Sequence, residues 1–241
     1  MTNEFSPTSS DGVVAIVLAA GTSSRMGGID KIWADLDGAP LIARPLRALA
    51  ATPGVEVVVA VAPRERHAAI VALLDGCNVQ VRCVEGGARR QDSVAAGIAA
   101  APDAAWYLVH DGARALVTPA LATLTLEAAR AHGAAVPGVP IADTVKRVQP
   151  GNPGGREGER VLGTIERGPL RAIQTPQAFR GDLLRRAHAE VTNDATDDAS
   201  MLEHLDLTVV VVAGDATNMK VTTPADLEVA RVLLAQRERG D

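Results

Sequence analysis

The sequence predicts an α/β fold: a mostly parallel sheet with helices on both faces and one protruding β-arm. Three observations carry that prediction. Short apolar runs rich in Val and Ile alternate with segments of helical spacing four times between Val13 and His132, the pattern of βαβ units with right-handed crossovers. Hydrophobic residues make up 47% of the 241 residues, yet the aromatics are two Trp, two Phe and one Tyr. The core must then be built from Val, Leu, Ile and Ala, as in a parallel sheet covered by helices. Finally, the stretch Gln149 to Glu159 (QPGNPGGREGE) separates two extended segments, as at the tip of a hairpin.

Taken in order, Val13 to Leu18 is a buried strand. Pro40 to Ala51 carries Leu41, Ile42, Leu46 and Leu49 at helical spacing, with Pro45 expected to shorten or kink it. Val55 to Ala62 is a second strand, Glu65 to Leu74 a helix and Val79 to Val84 a third strand. Arg90 to Ala101 is a helix and Trp106 to Val109 a fourth strand. Thr118-Pro119 starts the next helix with a capping hydroxyl and a proline at the first helical position. Val136 to Val148 holds two short extended segments, and Arg160 to Arg167 is extended again. Such an arm buries little alone, so a partner copy is its natural cover. Arg171 to Gln174 returns to the body. Helices are expected over Arg180 to Glu190, over Asp197 to His204 and from Thr223-Pro224 to about Arg239, with a last strand at Leu207 to Val212.

The formal charge is -5 with no basic run, which argues against a nucleic-acid surface. Cys77 and Cys83 form no C-x-x-C and the five histidines are scattered, so a structural zinc is not expected and two buried free thiols are. Residues 1–11 are polar and read as a disordered tail rather than a signal peptide. No run approaches the roughly 20 apolar residues of a membrane span, and a cytoplasmic location is expected.

The first strand opens into Ala19, Ala20 and Gly21, then Thr22, Ser23 and Ser24, with cations at Arg25 and Lys31. A small-residue loop leaves backbone N–H groups free and lets an anion approach closely. Two fixed cations just beyond can neutralise a polyphosphate. The stretch is neither a P-loop nor a G-x-G-x-x-G fingerprint; it reads A-A-G-x-x-x-R-M-x(4)-K. Gly87, after the third strand, and Asp111, after the fourth, fall at strand carboxyl ends like Gly21. In a Rossmann-like sheet ligands sit there, so three loops should converge on one site.

Further polar stretches are His110-Asp111-Gly112-Ala113-Arg114, Asp143-Thr144-Val145-Lys146-Arg147, Gln174-Thr175-Pro176-Gln177, Thr196-Asp197-Asp198-Ala199-Ser200 and Asn218-Met219-Lys220-Val221-Thr222. With the opening loop, and in this order, they resemble the 2-C-methyl-D-erythritol 4-phosphate cytidylyltransferases of the non-mevalonate isoprenoid pathway. The resemblance runs from Val13 to about Ala230. It implies one nucleotidyltransferase domain over residues 12–238, with a dimerisation arm inside 139–170. It implies transfer of CMP from CTP to the phosphate of 2-C-methyl-D-erythritol 4-phosphate, with pyrophosphate leaving. Positioning and charge neutralisation would supply most of the rate.

Under that resemblance Arg25, Lys31 and Lys220 match cations around the reacting phosphates. Arg167 matches an arginine that holds the acceptor phosphate in the neighbouring subunit's site, making the homodimer functional. Asp111, Arg114, Thr144 and Thr196 match acceptor contacts, and Ala19, Ala20, Gly21, Gly87 and Ser93 match the cytidine and phosphate cradle. Magnesium is expected to ride on the CTP phosphates, with no protein metal site; Asp111 and Asp215 are the carboxylates to watch.

The chain departs from the family in places. Lys31 lacks a flanking proline and glutamine, Leu18 stands where proline is common, and Gly112 stands where alanine is common. Gly21 to Lys31 also resembles the guanylyltransferases that build the dinucleotide form of molybdenum cofactor. Ribitol phosphate cytidylyltransferases share more of the pattern, and a non-catalytic nucleotide sensor is the reading from another class.

Overall fold

A computed structural model of the chain describes residues 11–21, 31–151 and 158–239. It begins with β1 (Val13–Leu18), whose Val13 to Val17 are fully buried. A strand apolar on both faces can be covered on both. There follow α1 (Ala43–Ala50), β2 (Val55–Val61), α2 (His67–Leu73), β3 (Gln80–Val84), α3 (Arg90–Ala99) and β4 (Trp106–Asp111). Next come α4 (Pro119–His132), β5 (Ala134–Pro140), β6 (Val145–Gln149), β7 (Arg160–Ile165), β8 (Arg171–Ile173) and β9 (Gln177–Arg180). The chain closes with α5 (Gly181–Glu190), α6 (Asp198–Glu203), β10 (Val210–Ala213) and α7 (Pro224–Arg239).

The main sheet runs β10-β5-β9-β4-β1-β2-β3, with β8 added on β5. The β1–β2, β1–β4, β2–β3 and β5–β10 pairings are parallel. The expected α/β architecture is therefore present. The side chains of β1 alternate between two cores. Val13, Ala15 and Val17 pack with Leu46, Leu49, Ile70 and Leu126 on the α1, α2 and α4 side. Val14 and Ile16 pack with Val94, Leu184 and Met201 on the α3, α5 and α6 side. A third cluster seats α7, through Leu227, Ala230 and Leu234, against Leu36, Leu41 and Leu116.

Several boundaries shift for local reasons. Pro45 lies in the first turn of α1, where its missing N–H costs no hydrogen bond, so it does not break the helix. Thr118 caps α4, accepting from Leu121 N at 3.2 Å, and Gly133 ends it at φ +94°, a conformation glycine adopts without strain. The sequence did not mark β8 or β9 as strands; β9 is antiparallel to both β4 and β5. It has only four residues, too few for an alternation to stand out, yet Ala178 and Phe179 are fully buried. Cys77 and Cys83 are free but only partly buried, a correction to two buried thiols, and burial pushes the Cys83 thiol up. The expected disordered tail lies outside the described residues except for Asp11, which pairs with Arg130 at 2.9 Å. No helix among the described residues is long and apolar enough to cross a membrane.

The arm is a separate two-stranded sheet. β6 and β7 pair antiparallel with each other, Val145 opposite Ile165. Val161 and Leu162 on β7 are 55% and 54% exposed.

Candidate active site

The carboxyl ends of β1, β3 and β4 open onto a cavity of about 540 Å3. Its floor is backbone. Gly86 lies so close to the loop after β1 that a Cβ there would meet the Ala20 Cβ at 2.4 Å, and one on Gly87 would meet the Asp92 Cβ at 2.3 Å. Only glycine permits that approach. Ser93, buried on α3, accepts from Gly87 N at 3.2 Å and lies 3.2 Å from the Arg89 carbonyl, which its hydroxyl serves as donor. Ser93 thus fixes the shape of the second loop. Gly112 is confined in the same way, with the Leu18 carbonyl oxygen and Ile42 Cδ1 each 2.7 Å from where its Cβ would be. The alanine common there in the family would not fit this packing.

The same cavity carries charge. Lys220 Nζ lies 2.7 Å from Asp111 Oδ2, and Arg90 Nε lies 3.4 Å from Asp111 Oδ1. Burial alone would raise the Asp111 carboxyl, but Lys220 and Arg90 outweigh it and hold it at about 2. Asp111 is therefore an anion at every working pH. Its backbone N donates to Thr175 Oγ1 at 3.0 Å. Thr175 in turn meets His110 Nδ1 at 3.0 Å, and His110 Nε2 meets the Arg114 carbonyl at 3.2 Å. A carbonyl can only accept, so the proton sits on Nε2 and Nδ1 accepts from Thr175. Complete burial pushes His110 down to about 4 and keeps it neutral.

Lys220 is held by a brace of backbone contacts. Asn218, fully buried, donates from Nδ2 to the Thr175 carbonyl at 2.9 Å. Gln174 exchanges hydrogen bonds with the Asp215 backbone at 2.8 and 3.1 Å. Asp215, one of the two carboxylates singled out, is not at the cavity. It accepts from Thr217 N at 2.8 Å and from Arg237 Nη2 at 2.9 Å. Arg237 also donates to the Leu116 carbonyl, so the last turns of α7 lock this loop.

Of the residues singled out from sequence, Ala20, Gly21, Lys31, Gly87, Ser93, Asp111 and Lys220 all line the cavity. Ala19 lies just behind, buried, donating its N–H to Val61 O at 2.8 Å. Arg114 is one layer back, its guanidinium 2.8 Å from the Asn218 carbonyl; burial lowers its pKa while Asp111 opposes that. Thr196 is exposed before α6, whose cap is Asp197, accepting from Ser200 N at 2.9 Å. Thr144 and Arg167 are exposed at the two roots of the arm, outside this cavity. Arg25 lies outside the described residues. The sequence reading missed Arg90, Asp198 and His188. Asp198 is fully buried, 2.7 Å from Arg90 Nη1 and 2.9 Å from His188 Nε2. Asp198 beside the helix cap and Arg90 beside the Gly87 loop were the signals available.

A backbone cradle with lysines in the same cavity suits a nucleoside triphosphate, and a mostly buried carboxylate beside it suits hydroxyls rather than phosphate. Fold and site together define a nucleotidyltransferase. The family model for 2-C-methyl-D-erythritol 4-phosphate cytidylyltransferase matches residues 13–236. Relatives of that name include one from Streptomyces coelicolor, 44% identical over 94% of this chain and 86% of its own length. Another, from Nocardia farcinica, is 45% identical over 93% of this chain and 95% of its own. The crystal structure of the enzyme of that name from Thermus thermophilus superposes with a TM-score of 0.73 at 34% identity, covering 92% of this chain and 98% of that one. The 4-diphosphocytidyl-2C-methyl-D-erythritol synthase of Anaerococcus prevotii does so at 0.80 and 26%, covering 94% and 99%. The chain belongs to the 2-C-methyl-D-erythritol 4-phosphate cytidylyltransferase family.

Proposed function

We propose that this protein transfers CMP from CTP to 2-C-methyl-D-erythritol 4-phosphate, a step of isoprenoid precursor synthesis. The observation that carries the reading is the juxtaposition of the Gly21 and Gly87 cradle with the Lys220–Asp111 pair in one cavity. The cradle takes the cytidine and the phosphates through backbone N–H groups. Lys31 and Lys220, with Arg25, offset charge on the triphosphate. Asp111 accepts from acceptor hydroxyls, and Lys220 is shared between Asp111 and the α-phosphate. An acceptor phosphate oxygen forms a bond to the α-phosphorus in line. The bond from that phosphorus to the bridging oxygen breaks, and its electron pair leaves with pyrophosphate. Catalysis is then positioning plus electrostatics.

Magnesium would ride on the triphosphate. Asp111 is the one carboxylate in the cavity wall among the described residues, and two cations already hold it. Bound on the phosphates, the ion would offset charge on the departing pyrophosphate. The arm would join two copies of the chain, supported by the exposure of Val161 and Leu162 and by the place of Arg167 outside the cavity of its own chain. Arg167 would then hold the acceptor phosphate in the partner's site, and the enzyme would work in the cytoplasm.

The test is pyrophosphate release with magnesium, each of four nucleoside triphosphates being offered with methylerythritol phosphate or ribitol phosphate. Release only with CTP and methylerythritol phosphate is the expected result. Turnover with ribitol phosphate instead would move the acceptor, and no release with any pair would refute the reading.

A further inference from the structure

Three consecutive residues at the start of α3 reach across to one loop. Arg89 Nη1 lies 3.0 Å from Asp194 Oδ1, Arg90 Nη1 lies 2.7 Å from Asp198 Oδ2, and Gln91 Nε2 donates to the Val191 carbonyl at 2.7 Å. That loop carries Thr196. Arg89 and Arg90 both line the cavity, and Arg90 is the one whose side chain meets Asp111 there, through Nε. Behind it stands His188, whose Nε2 holds the far oxygen of fully buried Asp198. One guanidinium thus spans two carboxylates, a geometry that a lysine cannot copy. Its other terminal nitrogen, Nη2, is buried with no partner among the described residues.

We propose that Arg90, fixed by Asp198 and His188, is a positioning residue for the polyol phosphate acceptor. It sets where the Asp111 carboxylate stands and ties that carboxylate to the loop bearing Thr196. The inference rests on the acceptor reading given above. It predicts a split between the two substrates, because the hydrogen bonds that shape the Gly87 loop run through Ser93 and the Arg89 carbonyl and not through the Arg90 side chain.

The experiment is steady-state kinetics on the full-length chain with CTP and methylerythritol phosphate. Arg90→Lys keeps the charge and loses the span; the acceptor KM should rise about tenfold or more, the cost of one charge-assisted hydrogen bond, with the CTP KM within about twofold. His188→Leu should raise the acceptor KM several-fold, and His188→Gln, which retains a donor near the Nε2 position, should restore it. A folded Arg90→Lys enzyme whose two KM values move together, or do not move, overturns the inference. So does equal behaviour of the Leu and Gln variants at His188, which decides the matter if Arg90→Lys fails to fold. A wild-type chain with no turnover overturns the acceptor reading and this inference together.

Discussion

The strands of the body and the strands of the arm use the same residue types to opposite ends. In β1, Val13, Val14, Ile16 and Val17 are fully buried between two layers of helices. In β7, Val161 and Leu162 stand in solvent, and only β6 pairs with them. The central strands of the body are paired on both edges and buried. The strands of the arm pair only with each other. Two adjacent branched side chains on a two-stranded hairpin are thus left uncovered, which is the observation behind the proposed dimer.

Substitutions should separate the two regions sharply. Leu46→Ala, in the core against β1, should lower the unfolding free energy by about 2–5 kcal/mol, read by chemical denaturation. The acid limb should follow His110. Its folded value is near 4 against 6.5 unfolded, so the unfolded chain binds the extra proton and stability falls as pH drops through that window. The loss is on the order of 3 kcal/mol, and His110→Asn should remove that slope from a pH series of unfolding curves. In the active site, Lys31→Ala or Arg25→Ala should each lower kcat/KM on the order of 100-fold or more, as for a lost transition-state donor; near wild-type rates would sink their assignment. Mixing inactive Arg167→Ala with inactive Lys31→Ala chains should restore part of the activity, since one site in the mixed dimer keeps both residues. Verified heterodimers that stay inactive would argue against donation across the interface. Smallest of all, Leu162→Ser should change monomer unfolding by no more than about 0.5 kcal/mol while weakening self-association in sedimentation.

Much of this was legible in the residues. β1 and the Ala19-Ala20-Gly21 loop declare themselves, because a long apolar run followed by small residues has few other uses. The converging strand ends put Gly87 and Asp111 at one edge, since parallel topology forces such loops together. What stayed hidden depends on contacts distant in the chain. β9 is four residues long and its partners lie far away in sequence. Arg90 reads as an ordinary first-turn residue until Asp111 and Asp198, 21 and 108 positions away, are brought to it. The Gln174-Thr175 stretch stood out only as polar; its role as the brace for Asn218 and the Lys220 loop depends on contacts 41 and 43 positions away.

Arg237 sits in the last turn of α7, yet it fastens Asp215, on the same loop as Lys220. Helix ends of this kind are usually trimmed freely when proteins are shortened for crystallisation. Here the cut would be felt across the molecule, as slack in the loop that presents a cation to the phosphates.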